Sequence, residues 1–256
     1  MVKGKNNKRT STTFSLYPLP LTLFPILLLF FACVTSSSCA QSSSDSRGNG
    51  SRMGNDHRDE AVIYAALGDS TGVGVGAKNG GYVVRLFTRI KSLRPDSRLT
   101  NVCVSGAETE DVLRSQLKTA LAARPTLVTL GIGINDVGHG VTIETFTRNY
   151  EEIIKRLKAE TSAPIVITNI PDISLAPIVP ASLRGQVYGR VNLFNEHIRE
   201  IASRHNLIVV DAYTATRDVI KSSPGFFSDD GFHPSDEGYE RWAEMMWPTV
   251  ESAINK

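Results

Sequence analysis

Short apolar runs alternate with amphipathic segments along most of the chain. The apolar runs are Ala61–Leu67, Leu99–Val104, Thr126–Leu130, Pro164–Ile170 and Leu207–Val210. Apolar positions recur with a helical period in Tyr82–Leu93, Thr109–Ala122, Ile143–Lys158, Leu183–His205, Thr214–Lys221 and Ser235–Asn255. Buried strands that alternate with helices are typical of βαβ units, in which helices cover both faces of a parallel sheet. The pattern therefore predicts an α/β fold, a three-layer flavodoxin-like sandwich with a five-stranded parallel sheet flanked by helices.

The first 59 residues lack this alternation. A basic start is followed by the apolar run Leu21–Val34, which contains Pro25. This run is shorter than the roughly 20 residues of a membrane-spanning helix, and a short apolar core between basic and small residues is typical of an export signal. Residues 41–59 are rich in Ser, Gly and charged residues, as in flexible linkers. We expect an exported chain with a leader over residues 1–40, a linker over 41–59 and one folded domain over 60–256.

The sequence leaves two ways of processing the leader open. Ser38-Cys39-Ala40 resembles the small-residue cleavage site of a secretory signal. The residues around Cys33 and Cys39 instead resemble bacterial lipoprotein signals, in which the cysteine is lipidated. Cleavage predicts a periplasmic or secreted protein, whereas lipidation of Cys33 or Cys39 predicts attachment to the membrane of the cell envelope, with the Ser-rich segment as a tether.

Charge and cysteine content argue against several classes of protein. Loss of the leader removes four basic residues and no acidic ones, which changes the formal net charge from +2 to −2. A weakly acidic domain gives no electrostatic reason to expect nucleic-acid binding. Cys103 is the one cysteine of the predicted domain and no CxxC or Cys/His metal spacing occurs, so we expect neither an intrachain disulfide nor a metal or other cofactor. Cys103 itself is expected to be a small buried apolar residue.

The candidate chemistry lies near the ends of predicted strands. Ser70 follows the first apolar run in a glycine-rich turn, and Asp230 and His233 lie three positions apart in a late loop. A serine nucleophile, an imidazole base and a carboxylate that orients the base are the groups of a serine hydrolase. Serine is also common in glycine-rich turns for conformational reasons, so the Gly-Asp-Ser segment alone is a weak signal.

Two further segments suit an oxyanion hole. Gly106 follows the second apolar run, and Asn135 follows the third in Gly131-Ile132-Gly133-Ile134-Asn135-Asp136. A backbone N–H and a side-chain amide are the donors that stabilise the negative oxygen of a tetrahedral intermediate. Because ligands of such folds sit at the carboxyl ends of the strands, we expect Ser70, Gly106 and Asn135 at one edge of the sheet.

These four segments, in this order, resemble the SGNH (GDSL-type) hydrolase family of esterases, lipases and lysophospholipases over nearly all of residues 61–250. The resemblance implies that Ser70 is the nucleophile, that His233 is the general base and that Asp230 orients it. It further implies an oxyanion hole made by the N–H groups of Ser70 and Gly106 and the amide of Asn135. The implied activity is hydrolysis of carboxylic esters through an acyl-enzyme, without a cofactor.

Several alternatives bear on this interpretation. Gly68-Asp69-Ser70-Thr71-Gly72 also fits the nucleophile elbow of α/β-hydrolases, but only one strand precedes Ser70 here, whereas that elbow follows several. The G-x-G-x-G spacing of Gly72, Gly74 and Gly76 does not match a nucleotide-binding fingerprint. A catalytically silent module that binds glycan or lipid is a further alternative.

The substrate remains open between lipid or acyl-thioester substrates and acetylated carbohydrates. The proline-containing segment Pro171–Leu183 carries several apolar residues beyond the fourth predicted strand. It either forms the wall of an acyl pocket or packs as a rigid loop on its own domain. Asp69 either fixes the turn before Ser70 or caps backbone N–H groups, and Asp229 is expected to be a solvated neighbour of Asp230.

Overall fold

A five-stranded parallel sheet forms the centre of the computed structural model, which describes residues 60–223 and 225–256. The predicted leader and linker lie outside these residues. The strands are β1 (Ile63–Gly68), β2 (Arg98–Asn101), β3 (Leu127–Gly131), β4 (Ile165–Thr168) and β5 (Ile208–Val210). Their order across the sheet is β2-β1-β3-β4-β5, and each pairing is parallel. This is the flavodoxin-like order, and the predicted fold class is confirmed.

Helices connect the strands and cover both faces of the sheet. They are α1 (Ser70–Val73), α2 (Tyr82–Leu93), α3 (Thr109–Asp111), α4 (Leu117–Ala122), α5 (Ile134–Gly138), α6 (Ile143–Glu160), α7 (Arg184–His205), α8 (Ala212–Ser222) and α9 (Asp236–Ile254). Helices α2 and α9 pack on one face, and α4, α6 and α7 pack on the other. Within the described ranges, no helix combines the length and the apolar character that crossing a bilayer requires.

The central strand shows why the sheet needs both layers. Tyr64 and Ala66 of β1 are buried against the α2–α9 layer, while Ala65 and Leu67 are buried against the α4–α6–α7 layer. Successive side chains of a strand point to opposite faces, so an uninterrupted apolar run has to be covered on both sides. The carboxyl end of β1 therefore lies in the middle of a packed sheet, between β2 and β3.

The second strand ends earlier than the sequence predicts. The regular strand stops at Asn101, three residues before the predicted end at Val104. The side chain of Asn101 accepts a hydrogen bond from the N–H of Cys103 at 3.1 Å, which bends the chain locally. The N–H groups of Val102 and Val104 nevertheless donate to the carbonyls of Ala66 and Gly68 at 2.9 and 3.1 Å. The apolar run thus stays beside β1 without continuing the regular ladder.

The helical segment predicted for Thr109–Ala122 contains a π-helical turn. Residues Val112–Gln116 form this wider turn between α3 and α4. Short π-turns are often found at functional sites because the extra residue changes which side chains face inward. Here the last residue of the turn, Gln116, is buried and reaches the end of β1.

Candidate active site

The turn that carries Ser70 begins at a glycine that no other residue could replace without distortion. Gly68 has a φ of +154°, and a Cβ on it would lie 2.3 Å from the carbonyl oxygen of Gly131 on β3. Asp69 then caps α1: its Oδ1 accepts hydrogen bonds from the N–H and the Oγ1 of Thr71 at 2.9 and 2.8 Å. Ser70 is thus the first residue of a short helix at the carboxyl end of β1.

Gln116 holds the same turn from the other side. Its Nε2 donates to the carbonyl of Gly68 at 2.8 Å, and its Oε1 accepts from the N–H of Gly68 at 2.9 Å. Asn101 adds a hydrogen bond at 3.0 Å from its Nδ2 to the carbonyl of Gly72. The sequence does not indicate these roles of Gln116 and Asn101, because their partners lie 48 and 29 residues away in the chain.

The structure brings Ser70, His233 and Asp230 into one chain of hydrogen bonds. The Nε2 of His233 lies 2.9 Å from the Oγ of Ser70, a residue 163 positions away. The Nδ1 of His233 lies 2.6 Å from the Oδ2 of Asp230. Each ring nitrogen therefore has one partner, and the carboxylate fixes the proton on Nδ1, so that Nε2 can accept the proton of the serine hydroxyl.

Asp230 is saturated with hydrogen bonds although it is exposed. Its Oδ1 accepts from the Oγ of Ser228 at 2.9 Å and from the N–H groups of Phe232 and His233, both at 2.8 Å. Partial burial works to raise the pKa of Asp230, but the hydrogen bonds from the His233 ring and from these N–H groups outweigh it and lower the pKa well below its usual range. Asp230 is therefore ionised beside the imidazole at any pH near neutrality. Asp229 is exposed.

Backbone hydrogen bonds hold both ends of the loop that carries Asp230 and His233. The N–H of Ser228 donates to the carbonyl of His233 at 2.8 Å, and the N–H of Ser235 donates to the carbonyl of Phe226 at 2.8 Å. Ser235 also caps α9, since its Oγ accepts from the N–H of Gly238 at 3.2 Å. From the segment after β4, the N–H of Ile178 donates to the carbonyl of Gly231 at 3.0 Å. His233 thus lies on a short, braced loop.

Gly106 and Asn135 lie beyond the strands that flank β1, and a hydrogen bond joins their two segments. Gly106 has a φ of +78°, a left-handed conformation that favours glycine. Its N–H and that of Ser70 donate to no other group of the described part of the chain. The Nδ2 of Asn135 donates one of its two hydrogens to the carbonyl of Ala107 at 2.9 Å. Two backbone donors and one amide hydrogen therefore remain available at this edge of the sheet.

A buried pair locks these two segments together. The Oδ1 of Asp136 accepts from the Oγ1 of Thr109 at 2.6 Å, and its carboxylate accepts from the N–H of Thr109 at 3.1 to 3.2 Å. Both residues are fully buried. Burial raises the pKa of Asp136, while the hydrogen bonds from Thr109 oppose that rise. The sequence analysis assigned no role to either residue, because only the fold makes them neighbours.

A second carboxylate lies next to Ser70 in the chain. Asp69 is 1% exposed, and its Oδ2 has no hydrogen-bond partner among the described residues. Burial raises the pKa of Asp69 to about 6, against the hydrogen bonds from Thr71 and the attraction of His233, while Asp136 raises it further. Both alternatives considered for Asp69 fit, because it fixes the turn by capping α1.

The remaining described histidines have partners outside this constellation. The Nδ1 of His139 lies 2.7 Å from Glu108, a third link between the Asn135 and Gly106 segments. His197 pairs with Thr147 and His205 with Glu151, on helices α6 and α7. Cys103 is partly rather than fully buried, and its sulfur lies where a Cβ on Gly72 would clash. His57 lies outside the described residues.

The chain is similar in sequence to known lipases and esterases. The spore germination lipase LipC of Bacillus licheniformis is 26% identical over 206 residues, which cover 72% of this chain and 93% of the lipase. An acetylxylan esterase of Geobacillus stearothermophilus is 26% identical over 183 residues, which cover 64% of this chain and 78% of the esterase.

The fold has counterparts among solved structures. That of Axe2, an acetylxylan esterase from Geobacillus stearothermophilus, matches with a TM-score of 0.63 at 18% identity and covers 76% of this chain and 96% of its own. Solved structures of its catalytic mutants carry an alanine in place of a serine, an aspartate or a histidine.

The family itself is shown by a match to a family model. Residues 66–241, more than half of the chain, match the model of the GDSL-like lipase/acylhydrolase family. The matched range includes Ser70, Gly106, Asn135, Asp230 and His233. The chain therefore belongs to the GDSL-like lipase/acylhydrolase family and is a carboxylic ester hydrolase.

Proposed function

We propose that Ser70, His233 and Asp230 are the catalytic residues of a serine esterase that works through an acyl-enzyme. The observation that carries this assignment is the hydrogen-bond chain from Asp230 through both nitrogens of His233 to the Oγ of Ser70, with distances of 2.6 and 2.9 Å. These are the contacts that a general base needs in order to activate a serine hydroxyl.

In the first half of the reaction, the Oγ of Ser70 attacks the carbonyl carbon of the ester while its proton moves to Nε2 of His233. The carbonyl oxygen becomes negative, and the N–H groups of Ser70 and Gly106 and the free amide hydrogen of Asn135 donate to it. The protonated His233 then gives its proton to the departing alcohol oxygen, and the carbon–oxygen bond of the ester breaks. Asp230 stabilises the imidazolium while it exists.

In the second half, water replaces the alcohol. His233 takes a proton from the water as its oxygen attacks the acyl carbon, and the same three donors stabilise the second tetrahedral oxyanion. The bond to Oγ of Ser70 then breaks, and His233 returns the proton to Ser70. The carboxylic acid leaves and the enzyme is restored.

The comparisons support these roles. In the acetylxylan esterase Axe2, structures described as catalytic mutants replace one serine, one aspartate and one histidine. The same three residue types meet in this chain at the carboxyl edge of the sheet. Relatives named as a lipase and as an acetylxylan esterase are equally similar, at 26% identity, so they do not decide which acyl group is removed.

The assignment is tested with Ser70→Ala on a panel of p-nitrophenyl esters, together with labelling by a fluorophosphonate that reacts with activated serines. We expect the variant to lose all turnover above background and to take up no label, because it lacks the attacking oxygen. Ser92→Ala, on the exposed side of α2, is the matched control and should behave as the parent. A folded Ser70→Ala protein that keeps near-parent activity would show that another group is the nucleophile.

A further inference from the structure

A small cavity lies against the catalytic residues. Its wall includes His233 and Phe232, Thr71, which follows the nucleophile, and Ile134, which precedes Asn135. The segments of Ser70, Asn135 and His233 thus border the same space, whereas no residue of the Gly106 segment lines it. An ester whose carbonyl lies between Ser70 and Asn135 would direct its acyl group or its alcohol group toward this wall.

The open space of this cavity is very small. It measures about 20 Å³, and a cavity needs roughly 10–15 Å³ on such a measure to hold a single water molecule. The space therefore accepts one group of about the size of a methyl group. Its surface is predominantly apolar, with Phe226, Phe227 and Trp242 among its walls, which suits a hydrocarbon group better than a sugar or another polar alcohol.

The walls of the cavity are firmly held. The rings of Phe226 and Phe227 pack edge to face with centroids 5.1 Å apart, and Phe227 forms an antiparallel bridge with Pro234. Asp172, which also lines the cavity, is fully buried and pairs with Arg217 at 2.5 Å. Packed interiors resist expansion, and forcing extra methylene groups into them is destabilising. The cavity is therefore not expected to widen for a long chain.

We propose that this cavity receives the methyl group of an acetyl ester, so that the enzyme removes acetyl rather than longer acyl groups. This inference rests on the proposed function, because it places the acyl carbonyl at Ser70. It also answers what the sequence left open for the segment after β4: Pro171 and Ile173 form part of the wall beside His233.

The competing arrangement is a long acyl chain that lies across the surface instead. Val73, Val104 and Ile178 are exposed, at 42, 51 and 59%, and each follows β1, β2 or β4 at the carboxyl edge of the sheet. A chain lying across such residues would bypass the cavity. Activity would then be maintained or would rise with acyl length.

The dependence of activity on acyl length distinguishes an acyl group in the cavity from an acyl chain that lies across the surface. The value of kcat/KM is measured for p-nitrophenyl acetate, butyrate and octanoate with the parent protein. We expect at least a tenfold fall from acetate to butyrate and a further fall to octanoate, since a pocket that cannot accept a methylene group discriminates by roughly 10–200-fold. Equal or higher kcat/KM for octanoate overturns the acetyl inference and leaves the esterase assignment standing. No turnover of any ester instead contradicts the proposed function.

Enlarging the wall provides a second test. Phe227→Ala removes a half-buried ring from the cavity, and we expect the butyrate-to-acetate ratio of kcat/KM to rise at least tenfold. Phe87→Ala removes a half-buried ring of α2 that does not line the cavity, and should leave that ratio unchanged. Ile173→Ala, at another residue that lines the cavity, replaces Phe227→Ala if the latter does not fold. An unchanged ratio in a folded, active wall variant contradicts the inference.

Discussion

Two carboxylates flank the Ser70–His233 pair, and their surroundings are opposite. The side chain of Asp230 is 43% exposed and each of its oxygens accepts hydrogen bonds, whereas Asp69 is 1% exposed and one of its oxygens has no partner in the described chain. The pKa of Asp230 is lowered, and that of Asp69 is raised to about 6. Burial works to raise the pKa of both carboxyl groups. At Asp230 the hydrogen bonds to the ionised form outweigh burial, whereas at Asp69 they do not, so the two pKa shifts differ in sign.

In the proposed mechanism, Asp230 has a catalytic role and Asp69 a structural one. Asp230 is stabilised as an anion before the reaction begins, which would let it stabilise the imidazolium without being protonated itself. Asp69 uses one oxygen to cap the helix that presents Ser70, and its charge is left in a poorly solvated position. The turn of Ser70 thus has an unfavourably buried carboxylate that fixes its backbone, while the loop of His233 carries the carboxylate proposed to support proton transfer.

The largest expected effect comes from neutralising Asp230. In Asp230→Asn the amide would present a donor to Nδ1 of His233 and favour the wrong tautomer, so we expect kcat to fall by roughly 10³–10⁴. The measurement is steady-state kinetics on a short-chain ester. Asp229→Asn, which changes an exposed neighbouring carboxylate, should alter kcat by no more than about twofold. The reverse ranking would transfer the orienting role to Asp229.

Neutralising Asp69 should change how the folding stability depends on pH. Its carboxyl has an ordinary pKa of 3.8 and a folded-state pKa of about 6, so between these values the folded protein binds a proton that the unfolded chain has lost. Folding stability contributed by this group therefore falls as pH rises from about 4 to 6. Asp69→Asn removes that dependence, and we expect its stability relative to the parent to increase by on the order of 3 kcal/mol over this range.

Urea unfolding at pH 4 and pH 7 measures this effect. Asp96→Asn, at an exposed position between α2 and β2, serves as the control and should show no comparable change with pH. The groups around Asp69 are His233, Asp136, Cys103, Tyr82 and Tyr239. A stability difference between variant and parent that is the same at both pH values would mean that Asp69 does not titrate in this window.

The smallest expected effect concerns the side chain that holds the nucleophile turn. Gln116→Leu keeps the approximate volume but leaves the buried N–H of Gly68 without its partner, whereas the Gly68 carbonyl keeps a hydrogen bond from the N–H of Val104. One unsatisfied buried donor costs about 1–3 kcal/mol. Thermal unfolding should report this loss, and Gln186→Leu, on the exposed start of α7, should not. Parent-like stability of Gln116→Leu would show that the turn does not depend on the amide.

The sequence predicts the features that depend on local pattern. The bounds of α2 match the prediction at both ends, and each predicted apolar run overlaps a strand. The Gly-Asp-Ser, Asn and Asp-x-x-His segments identify the residues that the structure brings to one sheet edge, and the family match confirms the resemblance. Their catalytic roles stay predictions until the variants are measured.

What the sequence could not supply depends on contacts between distant segments. Gln116 and Thr109 are ordinary polar residues of an amphipathic segment. Nothing in the local sequence indicates that Gln116 forms hydrogen bonds with Gly68 and Thr109 with Asp136. The π-turn that directs Gln116 inward has no pattern of its own. The size of the cavity beside His233 likewise depends on how six separate segments pack, which hydrophobic periodicity does not encode.

The link between Thr109 and Asp136 has a mechanical consequence. Because buried hydrogen bonds connect the segments that bear Gly106 and Asn135, neither segment can move independently of the other. Their spacing is set when the chain folds, before any substrate arrives. The gap proposed to receive the negative oxygen therefore needs no rearrangement when an ester binds.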